Sequence, residues 1–130
     1  MGAEQEHGAD AKSARHMLAV IFLRGIYMDG NAFTKLIKEE SRDFAIDWAE
    51  GNDIGVSSAA QKWVLALSKK ERIFLREIIT ESVDISLFKL FEIMDGVHSK
   101  NSDPIEANSG SDKISGSDCS QLHDLYANKI

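Results

Sequence analysis

The feature that most constrains this chain is a long helical segment with a marked start and a marked end. Ser68, Lys69, Lys70 and Glu71 form a capping box, in which the serine hydroxyl accepts from the backbone at Glu71 and the glutamate side chain reaches back to the serine amide. A helix therefore starts at Lys69, and Asp95 with Gly96 closes it after Met94. Between these signals the apolar positions change direction. Phe74, Leu75, Ile78, Ile79 and Ile85 share one side, whereas Val83, Leu87, Leu90, Phe91 and Met94 share another. Either a bend over residues 82–86 or contact from two sides accounts for the shift, and we favour a central helix with partners on both faces.

Three further helices are expected around it. The first, capped by Asp10 or Ser13, runs to about Met28 and is apolar on every side in its second half, with Arg24 set among apolar residues. The second places Phe33, Ile37, Phe44 and Trp48 at helical spacing and ends in Gly51, Asn52, Asp53 and Gly55. The third, capped by Ser57 or Ser58, carries Trp63, Val64 and Leu67. The expected fold is all-α: a compact bundle of four main helices around a long central one, with a flexible tail and a short C-terminal helix. Residues 1–97 form the domain, 1–9 being a loose tail. Residues 98–117, rich in Ser, Asn, Asp and Gly, read as a flexible linker. Residues 118–130 carry Leu122, Leu125, Tyr126 and Ile130 as an amphipathic segment too short to be stable alone.

Composition narrows the function. The 130 residues, 43% hydrophobic and 28% charged, suit one globular domain. A net charge of -6 disfavours nucleic acid and anionic membranes as partners and suits a basic protein surface. The single cysteine, Cys119, leaves no intramolecular disulfide, and a reducing cytoplasm fits best. The apolar run 17–23 is shorter than a bilayer span, which takes about 20 residues.

Chemistry is sparse. Glu40 and Asp43 stand three apart on the second helix; Glu81 and Asp84 repeat that spacing on the fourth, with Glu77 one turn earlier. Carboxylates so spaced share a helix face and, where two helices meet, can hold magnesium. The arrangement resembles the paired Glu-x-x-Glu and Glu-x-x-Asp helices of the all-α nucleotide pyrophosphohydrolases. That resemblance implies a metal site at Glu40, Asp43, Glu81 and Asp84, although Asp43 stands where the family's motif has glutamate. The competing reading makes these carboxylates solvated helix faces, with Glu40, amid Phe33, Ile37 and Phe44, pairing with Arg24. The histidines His7, His16, His98 and His123 are scattered and read as exposed side chains, and a Cys119–His123 pair loses to a free thiol near a frayed end. There is no glycine-rich phosphate loop and no calcium loop.

The stretch from Leu67 through Glu71, Arg72, Leu75, Ile79, Val83, Asp84, Leu87 and Leu90 to Gly96 resembles a segment of small bacterial helical proteins, some of which have been suggested as immunity proteins of toxin systems. The leading expectation is a non-enzymatic, acidic protein-binding module of immunity or adaptor type, needing no cofactor and contacting its partner through Glu77, Glu81 and Asp84. The alternatives are the magnesium-dependent hydrolase and a structural homodimer.

Overall fold

The computed structural model describes residues 27–50 and 57–130, together with Arg15. The first helix expected before Met28, the tail 1–9, the proposed partner Arg24 and the helix stop at 51–55 lie outside the described residues. What is described is mostly helical, with a small two-stranded sheet.

Helix α1, Gly30–Ile37, starts where the Asp29 carboxylate accepts from the Ala32 amide at 2.8 Å. It runs on through a π-helical segment, Lys38–Asp43, into α2, Phe44–Glu50. The π segment overturns one expectation. An inserted residue rotates everything beyond it by about 100°. Phe33 and Ile37 pack against the core, but Phe44 is 64% exposed and the buried position of α2 is Ile46. Trp48 is exposed to a lesser degree, at 41%. A spacing of 33, 37, 44 and 48 marks one face only of an unbroken α-helix.

Helix α3, Ser58–Ala66, is capped by the Ser57 hydroxyl and buries Val64 alone. Helix α4, Lys69–Met94, has the capping box read from the sequence: the Glu71 amide donates to Ser68 Oγ at 3.2 Å and the Ser68 amide to Glu71 Oε2 at 2.7 Å. That amide bond holds the exposed Glu71 carboxylate below its usual range.

The segment 98–117, expected to be a flexible linker, is a built connection. After α4 the chain turns at Gly96 (φ +71), where an added Cβ would lie 2.5 Å from the Pro104 nitrogen. Asn101 Nδ2 donates to the carbonyls of Ile93 and Asp103, adding side-chain bonds to a turn that the backbone also closes, with the Ile105 amide donating to the Met94 carbonyl at 2.7 Å. Strands β1, Ala107–Ser109, and β2, Asp112–Ser115, then pair antiparallel around Gly110 (φ +60), with a bulge between Ala107 and Asn108. Ser115 Oγ donates to the Ile105 carbonyl at 2.7 Å. Asn101 and Ser115, two of the polar residues that made this stretch resemble a linker, thus satisfy backbone groups of the connection. Its one firm apolar anchor is Ile114, buried in the core.

Helix α5, Leu122–Ala127, docks rather than frays. Leu122 and Tyr126 are both fully buried, in a cluster with Phe91 and Ile114. Met28, Phe33, Ile37, Leu87, Phe88 and Met94 surround this cluster. Phe91 lies between Phe33, edge-on at 6.3 Å between ring centroids, and Tyr126 at 5.3 Å. Gly30 lets α1 approach closely, since a Cβ there would lie 2.8 Å from the Ile114 carbonyl oxygen. The core thus sits at the C-terminal end of α4, where α1, β2 and α5 converge.

Candidate functional site

The π segment and α5 together build a polar knot on α4. By turning the helix, the π segment brings Arg42 against Asp84, and its guanidinium grips the carboxylate with two bonds, Nε to Oδ1 at 2.5 Å and Nη2 to Oδ2 at 2.9 Å. From the other side the buried Tyr126 hydroxyl donates to Asp84 Oδ1 at 2.7 Å. Arg42 Nη1 also donates to Asp43 at 2.9 Å, and Lys38 Nζ lies 2.7 Å from the second Asp43 oxygen. Burial works to raise the Asp84 carboxyl, but the bonds from Arg42 and Tyr126 outweigh it and hold the group below the usual carboxylate range. The Lys38 contact, then Arg42, lowers Asp43 in the same way. The bond to Asp84 fixes Arg42 in its charged form, while burial, then Asp84, keeps the Tyr126 phenol protonated.

The four carboxylates of the metal expectation are not gathered at one place. Asp43 and Asp84 do come close, but the Arg42 guanidinium bridges them, and each oxygen of both carboxylates already meets a donor. Glu40 and Glu81 are exposed on the surface instead of completing a site. Among the described residues no group of three or more His, Cys, Asp or Glu side chains is placed to hold a metal ion. The contact surface expected at Glu77, Glu81 and Asp84 divides likewise. Glu77 and Glu81 are exposed, whereas Asp84 is committed inside the fold.

His123 also departs from expectation. Its side chain is only 15% exposed, and its Nδ1 lies 2.6 Å from Asp95 Oδ2. The same carboxylate accepts the amides of Leu122 and His123 at 2.8 and 2.9 Å, so the residue that ends α4 also caps α5. As that carboxylate only accepts, the ring nitrogen is the donor. The His123 ring meets Phe88 edge-on at 5.6 Å, and Cys119 is a partly buried free thiol. Sequence reasoning missed Arg42, Tyr126 and Asp95. The available signal was Tyr126 itself, one turn after Leu122 on an apolar face, because a buried tyrosine hydroxyl needs a partner.

Away from the knot, the N-terminal part of α4 presents apolar residues to solvent. Phe74, Ile78 and Ile85 lie on one face, and Ile78 is 63% exposed. Trp63 and Leu65 of α3 are exposed as well. A cavity of about 280 Å³ is lined by Glu50 of α2, Val64 of α3, and Lys69, Arg72, Ile73, Leu75 and Arg76 of α4. A second, polar cleft of about 390 Å³ is lined by Arg42, Asp43, Ile46, Asp47, Arg76 and Thr80. Its charges are paired with one another, Arg42 with Asp43 at 2.9 Å and Arg76 with Asp47 at 3.6 Å, and Arg76 also bonds Glu50.

Comparison of the chain with protein-family models, with curated proteins and with solved structures gives no match. Among the described residues, no helix is long and apolar enough to cross a membrane.

Proposed function

We propose that this chain is a non-enzymatic protein-binding module whose contact surface is the exposed face of α4. The observation that carries the reading is the alignment of Phe74, Ile78 and Ile85, all at least half exposed, along about 16 Å of one helix face. Exposed apolar side chains gathered on one helix face, here with Glu81 between Ile78 and Ile85, support a reading as an interaction surface. The paired state of Asp43 and Asp84 supports the same side, since the most suggestive carboxylates already serve the fold. An immunity-like or adaptor role in a reducing cytoplasm suits the acidic charge and the lone thiol. The reading keeps α4 as the central element of a helical bundle, because it carries apolar residues on both faces.

Photo-crosslinking in the native organism tests it. A photoreactive residue at position 78 should capture one defined protein that the same residue at the exposed position 113 does not. An identical pattern from both positions, or no product from either, would remove the reading.

A further inference from the structure

We infer that the occupant of the α4 face is a helix of another protein whose apolar stripe is flanked by lysine or arginine, and not a second copy of this chain. This rests on the reading of that face as a protein contact surface, and it goes further by naming the partner's chemistry. The apolar positions Phe74, Ile78 and Ile85 have the spacing that an amphipathic helix meets with its own i, i+4 pattern. The charges beside them are unequal. Lys70 lies over the Phe74 ring at 5.9 Å and Lys89 is paired with Glu92 at 2.7 Å, so the cations at both ends of the face are engaged. Glu77 and Glu81, on the flank midway along the stripe, are exposed and meet no cation among the described residues.

That arrangement discriminates between occupants. In an antiparallel pair of two copies, the register that sets Phe74 of one against Ile85 of the other also sets Glu77 of each beside Glu81 of the other. Two like-charge contacts would then flank the centre of the interface, which disfavours the self-pair. A partner with basic residues at those positions converts both into ion pairs at the rim, where they raise the association rate and select the partner. The whole-chain charge of -6 acts in the same direction.

The test uses the full chain and two synthetic amphipathic peptides with the same leucine stripe, one flanked by lysines and the other by glutamates. Fluorescence anisotropy should show the lysine peptide binding at least about tenfold more tightly. The preference should fall in the double variant Glu77→Gln, Glu81→Gln and at high salt, and Ile78→Glu should abolish binding with the helical circular dichroism unchanged. Equal affinity for both peptides overturns the inference. So does sedimentation that shows a dimer lost in Ile78→Glu, since the face then takes a second copy while remaining a contact surface. Binding of neither peptide also overturns it, and thiol labelling of Ile78→Cys in a Cys119→Ser background then separates the two failures. A reactive thiol leaves the face open to a partner of different chemistry. An unreactive thiol in a monomer means that the chain covers the face itself, and removes the contact-surface reading too.

Discussion

The two ends of α4 have similar apolar content and opposite fates. Around Phe91 the neighbours on α4 itself are joined by cover from chain distant in sequence: Phe33 from α1, Ile114 from β2, Leu122 and Tyr126 from α5. Around Ile78 the described residues supply no comparable cover, and the side chain stands 63% exposed. An apolar residue on a helix is therefore a demand for a partner, and topology decides whether the fold meets it or leaves it to another molecule. The packed end contributes stability. The open end is the surface that the proposed partner would cover.

Substitutions sharpen this contrast, the largest effect being expected at its packed pole. Phe91→Ala should cost about 3–5 kcal/mol in urea unfolding, because it removes the ring on which Phe33 and Tyr126 pack. Next comes Arg42→Ala, expected to cost about 2–3 kcal/mol near neutral pH by leaving the partly buried Asp84 without its cation. The pH dependence follows from the direction of the Asp84 shift. Its folded value lies below its unfolded one, so its stabilisation is present at neutral pH and is lost as the pH falls from about 4 through the folded value. The Arg42→Ala deficit should therefore shrink in urea titrations repeated near pH 3. A deficit independent of pH would mean that Arg42 acts through packing alone.

Tyr126→Phe should be milder, about 1–2 kcal/mol, since it removes one hydroxyl bond and keeps the ring. It should also change the alkaline limb. The raised phenol value means that its contribution holds up to about pH 10 and is lost above it in the parent but not in the variant. The smallest effect is expected at Ile78→Ala, within about 0.5 kcal/mol of the parent. A loss as large as that at Phe91 would show that the open end of α4 is packed in solution, and would erase the contrast between the two ends.

Much of this architecture is legible from residues alone, and the failures have definite causes. The bounds of α4 follow from local chemistry, the reciprocal Ser68–Glu71 cap and the Asp95–Gly96 stop, and these need no knowledge of the rest of the chain. The two apolar faces of that helix were legible too, but not which of them would be covered. The π segment was illegible because nothing in Lys38–Asp43 distinguishes one extra residue per turn from a regular helix, and the exposure of Phe44 and Trp48 follows from it. The hairpin was mistaken for a linker because composition measures the lack of apolar residues, not whether Asn101 and Ser115 find carbonyls to bond. The carboxylate spacing of Asp43 and Asp84 located a real meeting point of two helices. It could not say that an arginine from the same segment would take the place of a metal.

The docking of α5 between α1 and α4 also sets an order of events during synthesis. Lys129 bonds Asn31, and Leu122 packs against Gly30, so residues separated by most of the chain must meet before the core can close. On a ribosome adding about 5–20 residues per second, α1 and α4 emerge first and wait with Phe91 only partly covered until Leu122 and Tyr126 have cleared the exit tunnel. Throughout that interval the nascent chain exposes apolar surface at both ends of α4. How long that surface waits for cover is thus set by the position of one six-residue helix.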